Sequence, residues 1–277
     1  MLKSVSGCLV VVTALFVLSV PALAVTAHAS KVIGYEPGSD YLTDWQGNEY
    51  TDTSAPVGAA PTDTGQWQGT VYNITPFNNP YSIDEVISIG IGGSLTLQLE
   101  NYAMPTDGPE IGVFSYQFFG QDTDGGTTDP VNMFRPSQQA VVSVSESGSN
   151  WLDLNSGNMI EMNIPANAFN DAAATQPADY GKPFTATVSD FDGKNSLQET
   201  LDVYNGSAGG NWLDISASGL EKVGFIKFSV PGDATESFEL ESISLATDAT
   251  GVAVPVPATA VVLLARVAYT LSRRRSS

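Results

Sequence analysis

In the stretch SLTLQLE, Leu95, Leu97 and Leu99 alternate with Thr96 and Gln98. A period of two places one face of an extended strand on a core and the other in water. The alternation recurs in Ala140 to Ser145, where Val142 and Val144 interleave with Ser143 and Ser145. It recurs again in VGFIKFSV, Val223 to Val230, and FELESISL, Phe238 to Leu245, each expected to keep one wet face. Further short strands are expected at Gln66 to Asn73, Val86 to Ile91, Ile111 to Phe119, Met159 to Ile164 and Phe184 to Val188. Gly92-Gly93, between Val86 to Ile91 and Ser94 to Glu100, signals a hairpin. A short helix is expected only at Phe169 to Ala174. Many short strands divided by Gly, Asn and Asp turns predict an all-β fold, an antiparallel β-sandwich of the jelly-roll kind.

The organisation follows from the flanks. Ser30 to Gly65 is rich in Gly, Pro, Asp and Thr and carries Tyr35, Tyr41, Trp45 and Tyr50, which predicts an extended arm packed onto the domain. The sandwich is expected over residues 66–246, and residues 247–253 read as a linker. One echo occurs inside it: Asn150-Trp151-Leu152-Asp153-Leu154 returns as Asn211-Trp212-Leu213-Asp214-Ile215. Two similar hairpins with buried tryptophans account for the echo, because tryptophan is usually largely buried. The functional alternative is that Trp151, with Tyr180, and Trp212, with Tyr204, are exposed and stack on sugar rings.

Both ends carry export chemistry. Lys3 precedes an apolar run from Leu9 to Val20, and two small-x-small sites follow, Ala22-Leu23-Ala24 and Ala27-His28-Ala29. This is the pattern of a secretory signal peptide, expected over residues 1–29 with cleavage after Ala29 and Ala24 as the alternative. At the other end, residues 254–277 read VPVPATAVVLLARVAYTLSRRRSS. A helix over residues 258–271 is only about 21 Å long, against a bilayer core of about 30 Å, and it contains Arg266. Arg273, Arg274 and Arg275 favour the cytoplasmic side.

Charge narrows the partners. Between Ser30 and Thr250 stand 6 basic residues and all 30 acidic ones, so the body carries a net charge of −24. Nucleic acid and anionic membrane surfaces are repelled by such a body. The single cysteine, Cys8, leaves with the signal peptide, and the single histidine, His28, leaves too if cleavage follows Ala29. Thiol and imidazole chemistry are then absent, and with them zinc sites of that type and Ser-His or Cys-His catalysis.

The tail resembles the sorting signal of PEP-CTERM proteins. The matching residues are Val254-Pro255-Val256-Pro257-Ala258-Thr259, the apolar run from Ala260 to Leu271, and Arg273 to Arg275. Val256 stands where that family has glutamate. The resemblance implies an exosortase as sorting partner in bacteria that make extracellular polysaccharide, with transient membrane anchoring before release to the surface. A second resemblance runs from Ile83 to Ala246. SIGIGGSLTL, then TDGPEIGVF, then AVVSVSESGSNW and YGKPF, are similar to segments of bacterial cell-surface β-sandwich proteins. It implies a galactose-binding-like jelly roll.

Two chemistries remain to be weighed. Asp122, Asp124 and Asp129, on a glycine-rich loop, and Asp190 with Asp192, in DFDGKN, supply the hard oxygen ligands of a structural calcium site. Neither has EF-hand spacing, and Asp and Gly also make turns without metal. No catalytic residue is singled out, since no motif selects a carboxylate pair for glycoside hydrolysis. The expected role is therefore a non-enzymatic, exported surface or matrix protein associated with extracellular polysaccharide. The alternatives are a carbohydrate-binding module with a defined sugar site and, behind it, a glycan-acting enzyme.

Overall fold

The computed structural model describes residues 26–67, 69–121, 128–136 and 138–255. The leader through Val25, Asp122 and Asp124, and the tail from Val256 onward, with Pro257, Arg273, Arg274 and Arg275, lie outside the described residues. In chain order the strands are β1 (Ala29–Glu36), β2 (Asp63–Trp67), β3 (Thr70–Asn73), β4 (Ile87–Ile89), β5 (Ser94–Ala103), β6 (Ile111–Ser115), β7 (Phe118–Gln121) and β8 (Thr128–Phe134). Then follow β9 (Gln139–Ser145), β10 (Leu152–Asp153), β11 (Ile160–Glu161), β12 (Asn211–Leu213), β13 (Val223–Ser229), β14 (Phe238–Leu245) and β15 (Thr250–Ala253). Among the described residues one α-helix, α1 (Leu197–Tyr204), interrupts them.

Two antiparallel sheets form the body. The first has the order β1-β5-β13-β9-β10, with β11 also on β9 and β15 also on β5. The second has the order β12-β6-β14-β4. Leu95, Leu97 and Leu99 point inward from β5, as their alternation predicts, and meet Val142 and Val144 of β9 and Ile226 of β13. Facing them in the same core are Ile87 and Ile89 of β4, Val113 of β6, and Leu240 and Ile243 of β14. Phe228 and Phe238 stack across this core at 5.5 Å between ring centroids. Each such side chain contributes about 1.5–3 kcal/mol by leaving water, which makes the all-β sandwich the dominant stabilising unit.

Gly92-Gly93 is not a hairpin. β4 pairs with β14 in one sheet and β5 pairs with β1 and β13 in the other, so the chain turns a corner between sheets. The glycines here serve close approach. The Gly90 N–H donates to Pro37 O at 2.7 Å, and Ile91 and Ser39 exchange backbone bonds. A Cβ at position 90 would collide with Ser39 O and lie 2.8 Å from Pro37 O. Gly90→Ala is therefore expected to cost about 1–3 kcal/mol, as overpacking against backbone does, read as a lower denaturation midpoint.

The second sheet departs most from expectation. Every residue of β14 is buried, Glu239, Glu241, Ser242 and Ser244 included, so this strand has no wet face. The reason is a third layer, made largely of segments outside the two sheets. Ile74, Ala166, Ala168 and Ala208 close over Phe114, while Phe184, Phe191 and Tyr204 pack around Phe119. Phe184 to Val188 forms no strand because it belongs to this cover, and residues 159–164 contribute only the two-residue β11. Gln66 to Asn73 is not one strand but the β2–β3 hairpin around Gly69. Residues 169–174 carry no helix. The helix lies at α1, where the Ser196 side chain accepts from the Glu199 N–H and the Glu199 carboxylate accepts from the Asn195 N–H. The segment read as a linker carries β15, which pairs with β5.

Candidate functional site

A single buried carboxylate organises the outer face of the second sheet. Glu239 projects from β14 and is fully buried. Its Oε2 accepts from the Arg135 guanidinium at 2.7 Å and from Gln138 Nε2 at 2.7 Å. Its Oε1 accepts from Ser88 Oγ at 2.8 Å and Ser237 Oγ at 2.6 Å. A buried charge persists only when paired and hydrogen-bonded in this way. Arg135 also donates to Ser237 O at 3.0 Å and holds a left-handed backbone, φ 57°, just past β8.

The two ties lead to two different walls. Through Arg135, Glu239 fixes the end of the β7–β8 hairpin, which carries Phe118 and Phe134. Through Ser88, whose Oγ accepts from the Leu42 N–H at 2.8 Å, it fixes the arm. The arm then forms a tight loop, Asp44-Trp45-Gln46-Gly47-Asn48. Asp44 Oδ1 accepts from the Gln46 and Asn48 N–H groups, each at 2.8 Å, and Oδ2 accepts from Asn48 Nδ2 at 2.8 Å. Gly47 supplies the positive φ of 83° that this loop needs. The Asn48 side chain, with the backbone donors of the loop, holds the Asp44 carboxyl below the usual carboxylate range.

Between the walls lies a cleft of about 350 Å³, lined by Leu42, Trp45, Tyr50, Tyr81, Tyr116, Phe118 and Phe134, with Thr43 and Asp44. Its floor is an aromatic chain. Phe118 and Phe134 stack at 4.8 Å, Phe134 meets Tyr116 edge-on at 5.7 Å, and Tyr116 meets Tyr50 at 6.2 Å. Such pairs contribute about 0.5–1.5 kcal/mol each beyond burial. Tyr50 and Tyr116 are buried, whereas Trp45 is 66% exposed and Phe134 41% exposed. Burial pushes the Tyr50 phenol up to about 12, so it is a neutral donor, bonded to Tyr81 O at 2.9 Å. A second compartment of about 490 Å³ shares Asp44, Trp45 and Tyr81 and adds Gln46, Asn48, Gln66 and Ser82. The site is therefore half aromatic and half amide and hydroxyl, the mixture that binds and orients a small organic ligand.

The residues singled out from sequence lie elsewhere. Trp151 is half-buried against the main core, with Lys227 Nζ 5.2 Å from its ring centroid. Trp212 lies over Gly112, and its indole N–H donates to Gly209 O at 2.9 Å. Tyr204 is fully buried and Tyr180 packs on Phe114, so neither tryptophan joins an exposed aromatic row with them. The echo places Trp151 beside β10 and Trp212 on β12, at an edge of each sheet. Asp190 caps a 3₁₀ turn, its Oδ2 accepting from the Thr187 N–H at 2.7 Å and Thr187 Oγ1 at 2.8 Å. Asp192 is exposed on the same turn, and Asp129 lies on β8. Among the described residues no group of three or more His, Cys, Asp or Glu side chains is placed to hold a metal ion. Pro255 is exposed, its carbonyl accepting from Gln98 Nε2 at 3.4 Å, and Ala27 and Ala29 are buried in the core. No helix among the described residues is long and apolar enough to cross a membrane.

Cleft residues come from four separate stretches, 42–50, 81, 116–118 and 134. The signal available in sequence was the aromatic set of the Gly- and Asp-rich arm, of which Trp45 and Tyr50 line the cleft. No protein family's model matches this chain, and no curated protein matches it either.

Proposed function

We propose that this is an exported protein of the bacterial surface or extracellular matrix that associates with extracellular polysaccharide through the Trp45–Phe134 cleft. The observation that carries the reading is the cleft itself: exposed aromatic faces beside amide and hydroxyl groups. Aromatic faces stack on the C–H faces of sugar rings, and Gln46, Asn48, Gln66 and Ser82 supply partners for sugar hydroxyls. The acidic body disfavours anionic glycans, so a neutral saccharide is the fitting class. Binding fits better than cleavage. Among the described residues lining the cleft, Asp44 is the only carboxylate, and its oxygens are engaged by its own loop. Glycoside hydrolysis uses two.

The leader and the exosortase-type tail supply the route to the surface, with the membrane engaged during sorting. The finer fold we assign is a jelly roll of the galactose-binding kind, supported by the way β4, β5 and β6, and later β12 to β15, alternate between the two sheets. No cofactor is assigned. The test is tryptophan fluorescence during titration with neutral and uronic-acid polysaccharides. A saturable change with a neutral glycan, weakened about tenfold or more in Trp45→Ala, is expected. No change across a broad neutral set contradicts the reading.

A further inference from the structure

We propose that the export leader is removed after Ala24, so that the mature chain begins at Val25 and keeps Ala27, His28 and Ala29 as folded structure. The inference rests on the export reading above and concerns where the cut falls. Ala22-Leu23-Ala24 and Ala27-His28-Ala29 satisfy the small-x-small requirement equally well. The fold separates them.

Ala27 and Ala29 are 3% and 2% exposed and belong to the main hydrophobic core. Three successive carbonyls serve three different parts of the molecule. Ala27 O accepts from the Leu245 N–H of the second sheet at 2.9 Å, and His28 O accepts from the Glu100 N–H of the first sheet at 2.8 Å. Ala29 O accepts from the Gly58 N–H of the arm at 2.9 Å. His28 also bridges to Ser244 on β14, while Ala29 pairs with Leu99 on β5. These residues thus join one sheet to the other. The His28 ring reinforces the join, with Nδ1 3.3 Å from Ile243 O, and burial pulls its pKa below the ordinary value.

A cut after Ala29 removes all of this. Leu245 is fully buried, so its N–H would lose its acceptor away from water. The two alanine sites in the core would empty. The Ala29–Ser30 bond also lies inside a paired strand, closed to a peptidase once β1 docks. The Ala24–Val25 bond stands four residues after the apolar run ends at Val20, and a cut there leaves Ala27, His28 and Ala29 on the mature chain. The consequence for chemistry is that the single histidine stays in the mature protein, in a structural position.

The experiment is N-terminal peptide mass spectrometry of the exported protein from cells making the full chain. A first residue of Val25 is expected. A first residue of Ser30 overturns the proposal while leaving the export reading intact, and an uncut leader overturns both. A second measurement compares leaderless chains starting at Val25 and at Ser30. The shorter is expected to melt lower by roughly 5 °C or more; equal melting temperatures also overturn the proposal.

Discussion

Arg135→Ala is expected to destabilise the protein by about 3–5 kcal/mol, the cost of leaving a buried charge without its partner. The charge is that of Glu239, fully buried on β14, with the guanidinium 2.7 Å from its Oε2. Ser88, Ser237 and Gln138 still donate to it in the variant, but all three are neutral. The loss reads out as a lower urea midpoint with an unchanged slope. Combining Arg135→Met with Glu239→Gln removes both charges and is expected to recover a large part of it. A single variant losing less than about 1 kcal/mol would place the pair in the class of exposed ion pairs and contradict the described burial. The same substitution frees the β7–β8 hairpin from its anchor, so the saccharide binding we propose for the cleft is expected to weaken even where the fold survives.

The second large effect is a pH dependence opposite to that of ordinary acid unfolding. Glu85 is pushed up from 4.5 to about 7 by burial and by the nearby Asp63 and Asp84. Glu241 is fully buried and pushed well up by burial and by the charge of Glu85. Glu85 Oε2 and Glu241 Oε1 have no hydrogen-bond partner among the described residues. The folded state thus holds protons that the unfolded chain releases above about pH 4.5. Stability from these groups is complete below that pH and is lost as pH rises through the folded values, near 7 for Glu85. A full shift of that size is worth on the order of 3 kcal/mol. Glu85 keeps part of its surface in water, so about 1–2 kcal/mol is expected from it. Melting temperature measured from pH 5 to pH 8 is therefore expected to fall, and Glu241→Gln is expected to flatten the slope. A slope unchanged by Glu241→Gln would show that the side chain is solvated.

The core was legible where one rule decided the structure. Leu95, Leu97 and Leu99 of β5 and Val142 and Val144 of β9 face the core as their alternation predicts, although Gln98, Ser143 and Ser145 are buried as well, and β14 has the bounds that FELESISL predicts. The misreadings arise where a second layer overrides a local rule. Glu and Ser alternating with Leu and Ile reads as a wet face, yet Glu239 and Glu241 are buried because the arm and the β11–β12 connection cover them. Gly92-Gly93 reads as a hairpin, yet Gly93 is there because the carbonyls of Glu36 and Pro37 approach to 2.7 Å of where a Cβ would stand. Ser196-Leu197-Gln198-Glu199 carried a capping signature in plain view, but eight residues are too few to show a helical period. The cleft was the least legible feature. Its walls are brought together by a buried carboxylate 151 positions from Ser88 and 101 from Gln138, a juxtaposition no local pattern encodes.

Saccharide binding at the cleft is tested by affinity electrophoresis in gels containing a neutral extracellular polysaccharide, run with four variants beside the parent protein. Trp45→Ala and Phe134→Ala are expected to lose retardation, while Trp151→Ala and Trp212→Ala keep it once folding is verified. Retention by the first pair, or selective loss by the second, would contradict the assignment of saccharide binding to the cleft.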